Sequence, residues 1–518
     1  MSRQTLQAAI AHHQAGRLEE AKAIYRAIVA EDRNNPDAIH LLALVLHQTG
    51  DDAQAIPLFN RAMMLAPATP AYPANFAELW RKQGNWPNAI ECYRKVLRLA
   101  PSDWQIHHLF AEALTKLGKF EEAEAEFRRV IQARPRDPNA WSGLAEALRR
   151  GGKVNESVDA ARQGVAINPN HVDCLLALGW GLIRQGKPAE GLLALDHALR
   201  IHPGEAKLVW YRAWGRLLMG DYERGWPDYE ARWHDPELRQ SFRRPFSQPQ
   251  WRGEDIRGKT VLIHAEQGLG DTLQFARYAP LLADRGAKVV LEAQAELVSL
   301  LRRSMPQVEV IQTGQPLPAF DLHVSMLSLP LAFGTTLQTV PATVPYLTVD
   351  PYAIERWRAK LAGLSGLKVG VVWAGRPTHL NDRNRSVRLE RLAPLAQVPG
   401  VTFLSLQMGD AADQMRELPA GMHLIDMRSE LTDFDATAGL VSALDLVISV
   451  DTAIVHLCGA LARPVWAMIQ FDPDFRWMLA REDSPWYPTV RLLRQPAFGD
   501  WDTVARRAAE ELGKLTAM

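Results

Sequence analysis

The sequence predicts an α plus α/β protein: an all-helical repeat array followed by an α/β region of two lobes. Three observations carry that prediction. Gly16, Gly50, Gly84, Gly118, Gly152, Gly186 and Gly220 stand 34 residues apart, the mark of a repeated supersecondary unit. From Lys259 the period gives way to short apolar runs that alternate with helical stretches. The length of 518 residues exceeds what one core organises, and the apolar fraction of 47% is that of a folded chain. The expected boundaries are a repeat array over 2–235, a connection over 236–258, a first lobe over 259–345, and a second lobe with a terminal helix over 346–518.

Each repeat reads as two antiparallel helices. Glycine ends the first helix in a tight turn, and Pro67, Pro101, Pro135, Pro169 and Pro203 close the second at the same interval. A large ring recurs as Tyr25, Phe59, Tyr93, Phe127 and Tyr229, with Ala161 and Leu195 between. A small residue recurs at Ala9, Ala43, Ala77, Ala111, Ala145, Gly179 and Ala213, letting the paired helices approach closely. This pattern resembles the tetratricopeptide repeat, in six regular units and an altered seventh. The resemblance implies a concave groove lined by the first helix of each unit, holding a protein or peptide. Position assigns His40, His47, Glu78, Arg81, His108, Glu112, Glu146 and Arg149 to that groove, a surface of mixed charge. The same residues fit an ordinary solvated helix face. The histidines are spread over separate repeats without ligand spacing, so no metal site is expected there.

The seventh unit departs from the pattern. Arg212 and Arg216 occupy positions where apolar residues are expected, amid Trp210, Tyr211, Trp214, Tyr222, Trp226, Tyr229 and Trp233. So many rings predict that this unit packs on the second half of the chain, with Pro236, Pro245 and Pro249 marking the connection.

In the second half, strands are expected at 260–264, 288–291, 308–311 and 321–324, with helices at 272–283 and 295–303 between them. A second series follows at 367–373, 401–406, 423–425, 444–450 and 464–468, and a last helix at 501–515. Two parallel sheets of this kind place a ligand at the carboxyl ends of their strands. Two motifs sit there: Glu266-Gln267-Gly268-Leu269-Gly270-Asp271 after the first strand, and Ser449-Val450-Asp451-Thr452-Ala453 after a strand of the second series. Both resemble signatures of glycosyltransferase family 9, the lipopolysaccharide heptosyltransferase family, in its variety fused to tetratricopeptide repeats. The resemblance spans 259–495 and implies a GT-B fold, a nucleotide-sugar donor and no metal or other cofactor.

An inverting transferase needs a carboxylate to take the proton from an acceptor hydroxyl. Asp271, opening a helix after two glycines, is the candidate base, and the matching aspartate of heptosyltransferases is catalytic; the position also suits a helix cap. Thr452 and Ala453 open a helix directly after a strand, where free amides and the helix dipole suit the donor diphosphate. Arg385 and Arg383 supply positive charge for the same group. Gln407, Asp451 and His379 are candidates for nucleotide or sugar contact, and Glu266, Gln267, Gly268 and Gly270 for the acceptor or for the turn itself. His456 is expected to pack inside its lobe. Asp472-Pro473-Asp474 reads as a loop acid pair rather than a metal motif.

Lys plus Arg and Asp plus Glu both total 59, so no whole-chain field draws the protein to nucleic acid. The three cysteines are far apart and argue against a disulfide framework, which fits a cytoplasmic setting. No run of about 18 apolar residues marks a membrane span, and the first fifteen residues, with Gln4, His12, His13 and Gln14, do not read as a secretory leader. The expected function is transfer of a sugar to a hydroxyl of a protein recruited by the repeats, flagellin or another exported structural protein being the candidate acceptor that the resemblance implies. A lipopolysaccharide or envelope-glycan acceptor is the alternative, and a scaffold with an inactive transferase region is a third reading.

Overall fold

The computed structural model describes residues 3–235, 244–379 and 381–517; Pro236, expected to mark the connection, lies outside them. The chain divides into two compact units, Met1–Leu182 with Arg200–His202, and Ile183–Leu199 with Pro203–Met518. The sequence draws the end of the array at 235, whereas the division falls inside the sixth repeat.

In the first unit the helices alternate as pairs, for example Pro36–Gln48 with Asp52–Leu65 and Trp104–Lys116 with Phe120–Ala133. Asn35, Asp51, Asn85 and Asp103 cap the helices that follow them, each accepting from a backbone amide three residues on at 3.0–3.3 Å. The seven periodic glycines all hold φ between 70° and 87°. At Gly50 an added Cβ would meet nothing within 4 Å, so the left-handed backbone, not space, requires glycine. The recurrent rings Tyr25, Phe59, Tyr93 and Phe127 are buried, and Phe59 stacks on Phe76 of the next unit at 5.1 Å.

The second unit contains two parallel sheets. Strands β1 (Thr260–His264), β2 (Lys288–Ala293), β3 (Glu309–Gln312) and β4 (Leu322–Ser325) lie in the order β3-β2-β1-β4. Strands β5 (Leu367–Val372), β6 (Val401–Ser405), β7 (Leu424–Asp426), β8 (Leu446–Val450), β9 (Val465–Ile469) and β10 (Val490–Arg494) lie in the order β10-β9-β8-β5-β6-β7. In each sheet the strand order reverses at one point, between β1 and β4 in the first and between β5 and β8 in the second. Ligands of open α/β sheets bind outside the carboxyl ends at such points.

Nine of these strands fall within two residues of their expected positions, while β10 is an addition. The helix expected over 272–283 is two, Leu269–Phe275 and Tyr278–Asp284. At the break Arg277 turns inward and donates to the carbonyls of Gln274, Pro341 and Trp486, each at 2.8 Å. Its guanidinium also lies 4.5 Å from the Tyr346 ring and 4.6 Å from that of Tyr487. One buried cation thereby ties the first sheet, the crossing segment and the second sheet together. The last helix, Trp501–Thr516, covers the second sheet, burying Trp501, Val504, Ala505, Ala508 and Leu512 in a core with Val369, Ile448 and Leu493.

The altered seventh repeat belongs to this unit. Trp214, Trp226 and Tyr229 set their rings edge-on around Phe475 at 5.2–5.7 Å, and Trp486 Nε1 donates to Tyr222 Oη at 3.2 Å. Arg212 and Arg216 converge on Asp228 at 2.6–2.9 Å, so the cations that break the repeat pattern form an internal network.

Candidate functional site

The turn after β1 is shaped by charge. Arg232, from the end of the seventh repeat, is 1% exposed and clamps Glu266 with Nε and Nη2 at 2.8 and 2.9 Å. Glu266 also accepts from Ser325 at the end of β4, and Arg232 donates to Ser328 Oγ at 2.8 Å. Both oxygens of Glu266 are therefore engaged inside the protein, which places this residue with the turn and not with an acceptor. Gln267 reaches Tyr229 Oη at 3.4 Å while its carbonyl accepts from Gln294 at 3.1 Å.

Gly268 precedes the helix Leu269–Phe275, and its amide donates to Asp271 Oδ2 at 2.8 Å. Asp271 thus caps the helix, as its position allows. Its other oxygen pairs with the buried guanidinium of Arg476, which also holds Asp474 at 2.8 Å. Burial raises the Asp271 carboxyl above the usual carboxylate range; Arg476 opposes that shift and Asp474 adds to it. Gly270 faces the helix that follows β8. A Cβ there would lie 2.8 Å from His456 Cδ2 and 3.5 Å from Ala453 Cα, so the two helix starts meet only because position 270 is glycine.

Opposite stands the carboxyl end of β8. Asp451 and Thr452 precede the helix Ala453–Ala460, and Thr452 Oγ1 lies 3.0 Å from Ser449 Oγ. Burial, with Asp474 nearby, pushes the Asp451 carboxyl up to about 6, against the pull of Arg385. Arg385 belongs to the short turn Asp382–Arg385 after β5; its Nε meets Asp382 at 3.2 Å and its guanidinium lies against Gly375. Arg383, two residues away, is among the residues lining a cavity with Gln470 and Gln495. His379 keeps much of its surface open, its Nδ1 accepts from the Asn381 amide at 3.1 Å, and desolvation by the groups packed around the ring, with Arg385 nearby, lowers its pKa. His456 packs as expected, 3.0 Å from Tyr487 Oη and stacked on Trp477, with burial holding it neutral.

Gln407 requires a correction. Its Oε1 accepts from the amides of Trp373 and Ala374 at 3.0 and 2.8 Å, and its Nε2 donates to the carbonyls of Ala374 and Met408 at 3.0 and 2.9 Å. An amide with both donors and both lone pairs committed has nothing left for a nucleotide. It splices the ends of β5 and β6 instead.

The groove residues also separate. His40 is 5% exposed, stacked on Tyr72 at 4.4 Å and bonded to Asn75 at 2.9 Å, and burial lowers its pKa to about 4. His47 is tied to Asp52 at 2.6 Å with its side chain 7% exposed. These two histidines therefore pack within the array and do not line a groove. Glu78 with Arg81 and Glu146 with Arg149 form two-pronged pairs along one helix each, at 2.7–2.9 Å, and His108 lies 3.3 Å from Glu112; these remain partly open to solvent.

Sequence reasoning missed Arg476 and Arg232 altogether and read Asp474 as a plain loop acid. Arg476 meets a carboxylate 205 positions earlier, and no local spacing announces such a pair. Among the described residues no group of three or more potential metal ligands converges, and no helix is long and apolar enough to cross a membrane.

In class, the chain is a tetratricopeptide-repeat solenoid followed by a parallel-sheet α/β region. The tetratricopeptide repeat model matches residues 12–74 and 81–148. Among curated proteins the chain is similar to Protein FlbA of Caulobacter vibrioides, 29% identical over 330 residues that make up 58% of this chain and 54% of FlbA. The chain thus spans about half the length of that relative. Among solved structures, a tetratricopeptide repeat protein from Parabacteroides merdae matches with a TM-score of 0.40 at 16% identity, over 46% of this chain and 95% of that one. YrrB, described as a TPR protein with an unusual peptide-binding site, matches with a TM-score of 0.31 at 16% identity, over 36% of this chain and 95% of its own.

Proposed function

We propose that the α/β region is an inverting glycosyltransferase of the GT-B type, resembling glycosyltransferase family 9, and that the repeats recruit its protein acceptor. The observation that carries this reading is Arg476, which pairs with Asp271 beside the reversal point of one parallel sheet and lies near Asp451, next to Thr452, at that of the other, where Arg385 also acts on Asp451. A carboxylate whose proton affinity is raised by burial suits a general base. In the proposed reaction the acceptor oxygen attacks the anomeric carbon as the bond to the diphosphate breaks, and Asp271 takes the hydroxyl proton. The helix start at Thr452 and Ala453, with Arg385, stabilises the departing diphosphate. Donor binding must release Asp271 from Arg476, and the incoming phosphate offers that cation an alternative partner. The acceptor is proposed to be a protein, with flagellin or another exported structural protein as the candidate. The open charged pairs Glu78–Arg81 and Glu146–Arg149 are the groove positions best placed to meet it.

Calorimetric titration with a panel of nucleoside diphosphates tests the donor site. One nucleotide should bind, and Arg385→Ala should lose it. Asp271→Asn should keep nucleotide binding while transfer falls by about 10²–10⁴. A folded protein that binds no nucleotide would instead favour a non-catalytic scaffold.

A further inference from the structure

The repeat array carries a concavity that the groove does not use. Its volume is about 730 Å³, within the roughly 300–1,000 Å³ of ordinary ligand sites. It lies between the second helices of the third and fourth repeats, Trp86–Leu99 and Phe120–Ala133, with the first helix of the fourth, Trp104–Lys116, as its floor. None of the positions assigned to the groove lines it. The floor is built of rings, Trp104, His107 and Phe110, at three-residue spacing. The fourth repeat breaks the array's own period here. Trp104 stands where Pro36, Pro70 and Pro138 begin the same helix elsewhere, and Glu126 stands where Ile24, Leu58, Cys92 and Ala160 are apolar. These two departures serve one arrangement. His107 Nδ1 lies 2.6 Å from Glu126 Oε2, its Nε2 lies 3.0 Å from the Pro101 carbonyl, and its ring stacks on Trp104 at 5.2 Å. Held at both nitrogens, His107 fixes Trp104 as a flat platform.

The walls carry arginine. Arg94 lies 5.8 Å from the Phe110 ring and pairs with Glu91 and Glu122, while Arg129 pairs with Glu126. Arg98 lines the same concavity, is exposed, and holds no ion pair or hydrogen bond among the described residues. Three guanidinium groups thus face two carboxylates, Glu122 and Glu126, and the cation left over is Arg98. One surplus positive charge suits a single carboxylate, whereas the two glutamates would repel the multiple charge of a polyphosphate. The ring platform beside it suits an aromatic side chain.

We infer that this concavity docks a segment of a partner protein in which an aspartate or glutamate adjoins an aromatic residue, the ring against Trp104 and Phe110 and the carboxylate on Arg98. It is a second docking surface, built by the array alone, and it stands whether or not the α/β region transfers a sugar.

Fluorescence anisotropy of the full chain with labelled synthetic peptides tests it. The probes carry a central Trp-Glu or Phe-Asp pair in a Gly-Ser background, and their counterparts carry Trp-Lys or Ala-Glu. The probes should bind about tenfold more tightly than either counterpart. Arg98→Glu, at an exposed position, should remove that advantage and turn the preference toward Trp-Lys. Trp104→Pro installs the residue that other repeats carry at that place, so the helix should still form, and it should weaken the probes by about tenfold as well. Glu112→Gln, in the groove, should bind as the parent does. Probes that bind the parent no better than their counterparts overturn the inference. So does weakening by Glu112→Gln with Arg98→Glu unchanged, because the peptide then sits in the groove. A parent that dimerises in sedimentation, with Arg98→Glu monomeric, would place a second copy of this chain in the concavity and overturn the peptide assignment.

Discussion

The two regions handle charge in opposite ways. In the repeat array Arg81, Arg94, Arg128, Arg129 and Arg149 each pair with a glutamate three or four residues away, and Arg94 also with Glu122 of the adjacent repeat, along helix surfaces that stay partly exposed. In the α/β region Arg232, Arg277 and Arg476 are buried at 1%, 4% and 7% exposure and meet partners 34, 209 and 205 residues away. Short-range pairs decorate a structure already specified by its period. Long-range buried pairs select one arrangement of elements that no period specifies, because removing either partner leaves a desolvated charge.

The sharpest way to break this contrast is Glu266→Gln. The buried guanidinium of Arg232 would lose its two-pronged carboxylate and keep only Glu230, at 2.6 Å, and unfolding of the α/β unit should lose up to about 3–5 kcal/mol, read as a drop in denaturant midpoint. Arg232→Met combined with Glu266→Met should recover much of that loss. A single substitution costing less than about 1 kcal/mol would show that Glu230, water or relaxation satisfies the cation, and the contrast would collapse.

Asp451 comes next. Its carboxyl is raised to about 6 in the folded chain against about 4 when unfolded. The folded state therefore holds the proton more tightly, so this group favours folding below about pH 4 and the advantage is lost as pH rises through 6. Asp451→Asn should flatten that part of the stability profile between pH 4 and 6, with thermal melts across the window as the measurement. A parent profile that instead rises through this window, and stays the same in the variant, would show that Asp451 is not held protonated.

Legibility followed the same divide. The array could be read from glycine and ring spacing because each contact repeats locally, and the seven turns carry the dihedral that glycine spacing implies. The strands of the α/β region were legible as apolar runs, except β10, whose Val490-Arg491-Leu492-Leu493-Arg494 hides two buried leucines between arginines. The placement of Asp271, Asp451 and Thr452 in the turns and helix starts after β1 and β8 was readable from motif position. Arg476 was not, because its role depends on how two sheets meet. Gln407 and His40 were misplaced for a related reason: polar side chains read as surface contacts are consumed by the protein's own backbone and rings.

A smaller effect sharpens the account of the array. Gly50→Ala puts a Cβ into open space at φ 85°, so any loss is backbone strain alone, about 1–2 kcal/mol. Gly220→Ala should cost more, because at φ 82° its Cβ would also lie 2.7 Å from the Met478 methyl. Equal losses would mean that the Met478 side chain simply moves aside.

The smallest expected effect is the most discriminating for function. Glu146 is 41% exposed and pairs with Arg149 along one helix, a geometry worth only about 0.3–0.5 kcal/mol in such settings. Glu146→Gln should therefore leave the melting curve almost unmoved. If the groove recruits the acceptor, the same substitution should still weaken acceptor capture while nucleotide binding stays at the parental level, since the altered charge belongs to the array and not to the α/β region. A stability loss as large as that of Glu266→Gln would place Glu146 among the locks and remove it from the recognition surface. Unchanged stability with unchanged capture would leave Glu146 as solvated helix surface, and would shift recognition to another part of the array.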